Sequence, residues 1–260
     1  MSLLDLGTSQ LVLLTLVVTR TSGIMLVAPV FGTNEVPPTV RALLAFTLAL
    51  LMMPAQVAGG APSPQNLLDF SLMLTAETLI GLTLGLGVMV FFSAFQLMGQ
   101  VIGQLSGMSL GDVFNPGTND NMPIFSQLLY LVTLAAYMLI GGHRMLLGGM
   151  LDTFQTIPPG TATVAAGTER LFVNLLTESF ELGLRAAAPA TVALLLATLV
   201  LGMVSRALPQ LNVLALGFGF NALVTFSVLS ISFAGACWIL QDRLGGAIEA
   251  ILDTLHSPNV

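Results

Sequence analysis

Two ionisable side chains, Arg20 and Glu77, stand inside or at the edge of long apolar runs. A charge there is expensive and tends to pair with an opposite charge or to face a polar cavity. The chemistry open to them is therefore electrostatic. They can form an ion pair across two helices, or they can act as intramembrane charges at a midplane site for a small solute. Arg20 equally admits a third reading, snorkelling from a helix end toward headgroups.

Covalent chemistry finds no footing. His143 and His256 are far apart and lack metal-ligand spacing, and all seven basic residues are arginine. Without lysine there is neither Schiff-base chemistry nor a GxxxxGK[ST] phosphate loop. The stretch 217–222, Gly-Phe-Gly-Phe-Asn-Ala, matches GxGxxA but lies in an apolar run with no strand before it and no acidic residue after it. It reads as a helix break rather than a dinucleotide site. The single Cys237 rules out an intrachain disulfide and a cysteine metal cluster. The expectation is a non-enzyme with no cofactor and no bound metal. A net charge of −6 argues against nucleic acid as a partner.

Polar but uncharged residues carry the clearest local pattern. Gly99, Gly103, Gly107 and Gly111 recur every fourth residue, a smooth stripe on one helix face that allows close backbone approach. Gln96, Gln100 and Gln104 repeat at the same spacing on a row turned by roughly 100°. Amides without partners in hydrocarbon cost several kcal/mol, so these face either another helix of the same chain, a neighbouring subunit, or a watery lumen. Gly81 and Gly85 add a less specific GxxxG.

Directly after this helix comes a polar segment of an unusual length for a connection: Ser106, Gly107, Met108, Ser109, Leu110, Gly111, Asp112, Val113, Phe114, Asn115, Pro116, Gly117, Thr118, Asn119, Asp120, Asn121 and Met122. Pro116 followed by Gly117 suits a type II turn, and loops this long in compact proteins are functional or disordered.

These residues must be positioned by membrane helices. Hydrophobic residues make up 55% of the 260 and charged ones 8%, against roughly 25% charged in soluble domains. Apolar runs at 11–31, 42–57, 67–102, 124–140, 182–204 and 211–240 predict about six to eight helices. The third and last exceed one span, so each is a tilted long helix or a broken hairpin, and Gly217 and Gly219 favour a break in the last. Pro37, Pro38, Pro54, Pro158, Pro159 and Pro209 read as turns or helix boundaries. Residues 168–185 read as an amphipathic interfacial helix, with Glu181 and Arg185 an i,i+4 pair on one face. His143 and Arg144 read as boundary anchors. The first nineteen residues lack the positive charge of a cleavable signal peptide, which assigns them to the mature protein. Arginines do not alternate between successive loops, so orientation is weakly encoded.

An ordered set of motifs runs through the chain. It begins with Ala28-Pro29-Val30-Phe31, Val36-Pro37 and Arg41, and continues with Gly99 and Gly103 and then residues 115–123. Gly142-His143, Asp152-Thr153-Phe154, Ile157-Pro158, and Pro209 to Leu211 with Gly217-Phe218 complete it. In this order the set resembles the FliR family of flagellar type III export-gate subunits, with the homologous injectisome subunits as the nearest alternative. The resemblance implies an all-α fold of broken helical hairpins, FliP-like over 1–185 and FliQ-like over 186–260. It implies assembly with FliP and FliQ, contact with FlhB, membrane lipid around the gate, and unfolded export substrates in transit. It further implies a place in the inner membrane within the flagellar basal body, and a plug role for residues 106–122. Two positions depart from the family pattern: Asn115 stands where aspartate is common, and Gln100 where a charge is frequent. A small-molecule secondary transporter built on Arg20 and Glu77 is the rival of another class.

Overall fold

The computed structural model describes residues 3–33, 36–57, 62–107, 123–162, 168–208, 210 and 213–256. Among them every regular element is helical: α1 (Leu3–Val27), α2 (Pro38–Val57), α3 (Leu67–Ser106), α4 (Ile124–Leu139), α5 (Gly142–Thr156), α6 (Thr168–Ala207) and α7 (Val213–His256). The protein is an all-α membrane protein. Four helices, α1, α2, α3 and α6, contain stretches long and apolar enough to cross a bilayer. A fifth candidate is the pair α4 and α5, bent by 65°. The bend sits at Gly141, whose φ of +77° suits glycine and caps α5.

Helices are the form such sequence must take, since a lipid-facing backbone has to satisfy its own hydrogen bonds. Proline fits at the first turn of α2, where Pro38 lacks only an N–H that would have no helical partner. Pro54 is not a boundary, because α2 continues past it to Val57. α3 has 40 residues, a length of about 60 Å at 1.5 Å per residue, twice the ~30 Å hydrocarbon core.

Two further expectations fail. No break occurs at Gly217 and Gly219: α7 starts at Val213 and passes through both. A glycine in a helix costs only about 1 kcal/mol relative to alanine, whereas opening the backbone in apolar surroundings leaves groups unsatisfied. Residues 168–185 are likewise not a separate interfacial helix, since α6 carries them straight into the following apolar run. The boundary at 185/186 implied by the resemblance falls inside this unbroken helix.

Contacts group the chain into two compact units. The first comprises Met1–Val90, Gly141–Leu175 and Arg243–Val260, the second Phe91–Ile140 and Leu176–Asp242, and α3, α6 and α7 each run from one into the other. The first unit buries Leu16, Val17 and Ile24 of α1 with Leu84 and Val88 of α3, Leu146 and Met150 of α5, and Ile251 of α7. The second packs Met98 and Ile102 of α3 with Phe125 and Leu129 of α4, Ala187, Ala190 and Leu194 of α6, and Leu229 of α7. Phe92 adds an edge-on contact with Tyr137 at 5.4 Å between centroids.

Candidate functional site

In the first unit Arg20 and Glu77 meet. Both side chains are fully buried, and Arg20 Nε donates to Glu77 Oε2 at 2.5 Å. The remaining guanidinium nitrogens donate to backbone carbonyls, one to Thr153 at 3.0 Å and one to Ile157 at 3.1 Å. The guanidinium carbon lies 4.3 Å from the centre of the Phe154 ring. Glu77 Oε1 accepts the Gly160 N–H at 2.8 Å. Of the readings open to Arg20, the ion pair holds and snorkelling does not.

Glycines make the meeting possible. A methyl at Gly81 would strike the Arg20 carbonyl and come within 3.1 Å of the Gly23 Cα, and one at Gly23 would lie 2.9 Å from the Thr78 carbonyl. α1 and α3 therefore touch backbone to backbone one turn beyond Arg20 and Glu77, which brings their side chains within bonding reach. Gly23 escaped sequence reasoning although its spacing of three from Arg20 was visible. Ile157 and Gly160 offer only main-chain atoms, which leave no signature in residue type, while Thr153 adds its hydroxyl, 3.4 Å from the guanidinium, to its carbonyl.

In the second unit the C-terminal half of α3 separates two faces. Gly99 and Gly103 are buried. A Cβ at Gly99 would sit 2.6 Å from the backbone of Phe125 and Ser126, whereas the nearest contact of one at Gly103 would be the Phe125 side chain at 3.7 Å, with Pro123 Cβ at 3.9 Å. Only the first of the two demands glycine. Ser126 Oγ completes the crossing by donating to the Gln96 carbonyl at 2.9 Å. Gln100 and Gln104 are exposed and Gln96 half-buried. Gln96 and Gln100 line an open groove of about 400 Å³ with Ser93, Ser126 and Ser179. Ser93 and Ser179 lie 3.1 Å apart, hydroxyl to hydroxyl.

Residues 108–122 of the polar segment, including Gly111 of the glycine ladder, lie outside the described residues. The chain leaves α3 through Ser106, which is buried and donates to the Gly103 carbonyl at 3.0 Å, and Gly107, whose φ is +75°. Asn221 of α7 reaches the Ser106 carbonyl at 3.5 Å, a partner that sequence did not flag. His143 sits in the first turn of α5 with a buried Nδ1 that has no hydrogen-bond partner among the described residues, and Arg144 beside it is exposed. Among the described residues no cluster of His, Cys, Asp or Glu could hold a metal ion.

Motif residues near the chain start also have structural tasks. Arg41 donates to the carbonyls of Val36, at 3.0 Å, and Thr33, tying down the segment after α1. Glu181 and Arg185 pair at 2.5 Å on the surface of α6, where such a pair adds little stability.

The family described as bacterial export proteins, family 1, matches residues 11–247. The chain is 29% identical over 244 residues to the flagellar biosynthetic protein FliR of Bacillus subtilis, covering 92% of this chain and 93% of that one. Against FliR of Aquifex aeolicus it is 28% identical, covering 88% and 89%, and against FliR of Escherichia coli 27%, covering 81% and 80%. A match of this extent, shared by a chain of apolar helices, makes the protein a flagellar export protein of the bacterial membrane that belongs to family 1 of the bacterial export proteins.

Proposed function

We propose that this chain is a non-enzymatic core subunit of the flagellar type III protein export gate in the inner membrane, at the flagellar basal body. It forms part of the channel for unfolded flagellar proteins, with residues 106–122 as the plug, and it assembles with FliP and FliQ subunits and touches FlhB. The observation that carries the reading is the two-sided end of α3, whose glycine face is filled by the chain's own α4 while Gln100 and Gln104 remain on the surface. Amides on an otherwise apolar helix need a polar partner or water, which a channel subunit has and a lipid-facing monomer lacks.

The transporter reading loses support because Arg20 and Glu77 are fully buried and bonded to one another and to the main chain of Thr153, Ile157 and Gly160. The flagellar names of the relatives favour the flagellar over the injectisome branch. Co-expression with candidate FliP and FliQ partners, purification through a tag on this chain and mass analysis of the eluate test the proposal. A complex containing both is expected, and a well-folded solitary monomer with both partners expressed would overturn it.

A further inference from the structure

The glutamine row of α3 matches something more specific than water. Gln96, Gln100 and Gln104 follow one another at four-residue steps, about 6 Å along the axis at 1.5 Å per residue. An extended polypeptide repeats every two residues, roughly 6.6–6.8 Å. The mismatch accumulates slowly enough for flexible glutamine side chains to absorb it over two steps. The row also drifts by about 40° per step around the helix, so a chain following it would cross α3 at a slant.

The chemistry matches as well. Each primary amide offers an acceptor oxygen and a donor nitrogen, the complement of a peptide group. A partner helix could not use them through its main chain, because its own N–H and C=O groups are already paired along the axis. An unfolded chain carries both free. The groove beside Gln96 and Gln100, about 400 Å³, lies within the ~300–1,000 Å³ range of binding clefts. Its polar lining is serine hydroxyl and amide, and among the described residues no charged side chain lines it. A charged rail would hold oppositely charged stretches and repel others, whereas neutral amides act on every peptide group alike and individually weakly.

Resting on the gate reading above, we propose that Gln96, Gln100 and Gln104 form an amide ladder that hydrogen-bonds the backbone of an extended polypeptide in transit, independently of its sequence. The ladder gives an unfolded substrate successive equivalent footholds and lets it slide, because each foothold is exchanged for an identical one.

Disulfide capture in the assembled gate tests this. The chain carries Cys237→Ala and Gln100→Cys, and an export substrate fused to a domain that cannot unfold is stalled with single cysteines at several neighbouring positions. Capture of several neighbouring positions is expected, in two substrates of unrelated sequence, and none is expected with Leu199→Cys on the exposed side of α6. Capture of one substrate position only, of a membrane subunit in place of substrate, or of nothing would overturn the ladder. Converting all three glutamines to leucine is expected to slow export about tenfold, the effect of losing roughly one net hydrogen bond. Unchanged export would likewise overturn the proposal. Deleting the whole chain separates the two levels: export that continues without it refutes the gate reading, whereas export that stops while capture fails refutes the ladder alone.

Discussion

Arg20 carries a charge that its own helix cannot neutralise, and its partners come from α3, α5 and the turn that follows α5. Removing one member of a buried pair leaves the other uncompensated, which costs about 3–5 kcal/mol, whereas replacing both by apolar residues can be close to neutral. Arg20→Leu and Glu77→Leu are each expected to lower the thermal stability of the purified protein sharply, and the double variant to recover much of the loss. Recovery stops short of complete because the Thr153 and Ile157 carbonyls and the Gly160 N–H lose their charged partners as well. A double variant as unstable as the sum of the singles would refute this account. The sequence marks Arg20 and Glu77 by their cost in an apolar run, yet leaves pairing and snorkelling open. Deciding between them takes the backbone contact at Gly23 and Gly81, a relation between residues 58 apart by numbering.

For single helices, composition reveals existence and type far better than continuity. Apolar runs locate α1 to α4, because a helix that must satisfy its own hydrogen bonds in lipid writes its length into hydropathy, whereas α5 falls in none of the runs, its apolar residues being interrupted by His143, Arg144, Gly148, Gly149 and Asp152. Continuity depends instead on whether a glycine or proline has a better alternative nearby, and for Pro54, Gly217 and Gly219 it does not. The charged residues of 168–185 mislead for a similar reason: they mark where α6 emerges from its apolar portion without ending it. The glycine ladder is legible as a stripe, but its energetics are uneven. Gly99→Ala presses a methyl against the Phe125 and Ser126 backbone and is expected to destabilise the packing of α3 on α4 by about 1–3 kcal/mol. Gly103→Ala has ordinary van der Waals room and should be tolerated. Thermal unfolding in detergent distinguishes them, and equal effects from the two variants would mean that the close approach at Gly99 carries no particular load.

The whole molecule leaves more apolar surface outside than a solitary soluble chain could. α2 buries only Ala45, Ala49 and Met52, and α6 turns Leu195, Leu196, Leu199 and Met203 outward. Such faces need an apolar medium to cover them, which ties the stability of the chain to its membrane surroundings. Residues 106–122 differ in composition, combining glycine, asparagine and serine with few apolar residues. On the proposed plug role, a segment of that composition has less apolar area to give up than an apolar helix of equal length, so a passing chain would displace it at lower cost. Deleting Gly117, Thr118 and Asn119 shortens the segment directly after Pro116 while leaving Ser106 and Pro123 in place. If the segment plugs the channel, the assembled gate should conduct ions above the wild-type level while still co-purifying with its partners and still exporting substrate. Ion flux into cells or vesicles carrying a verified assembly measures this, and flux equal to wild type would remove the plug role from the segment without touching the family assignment.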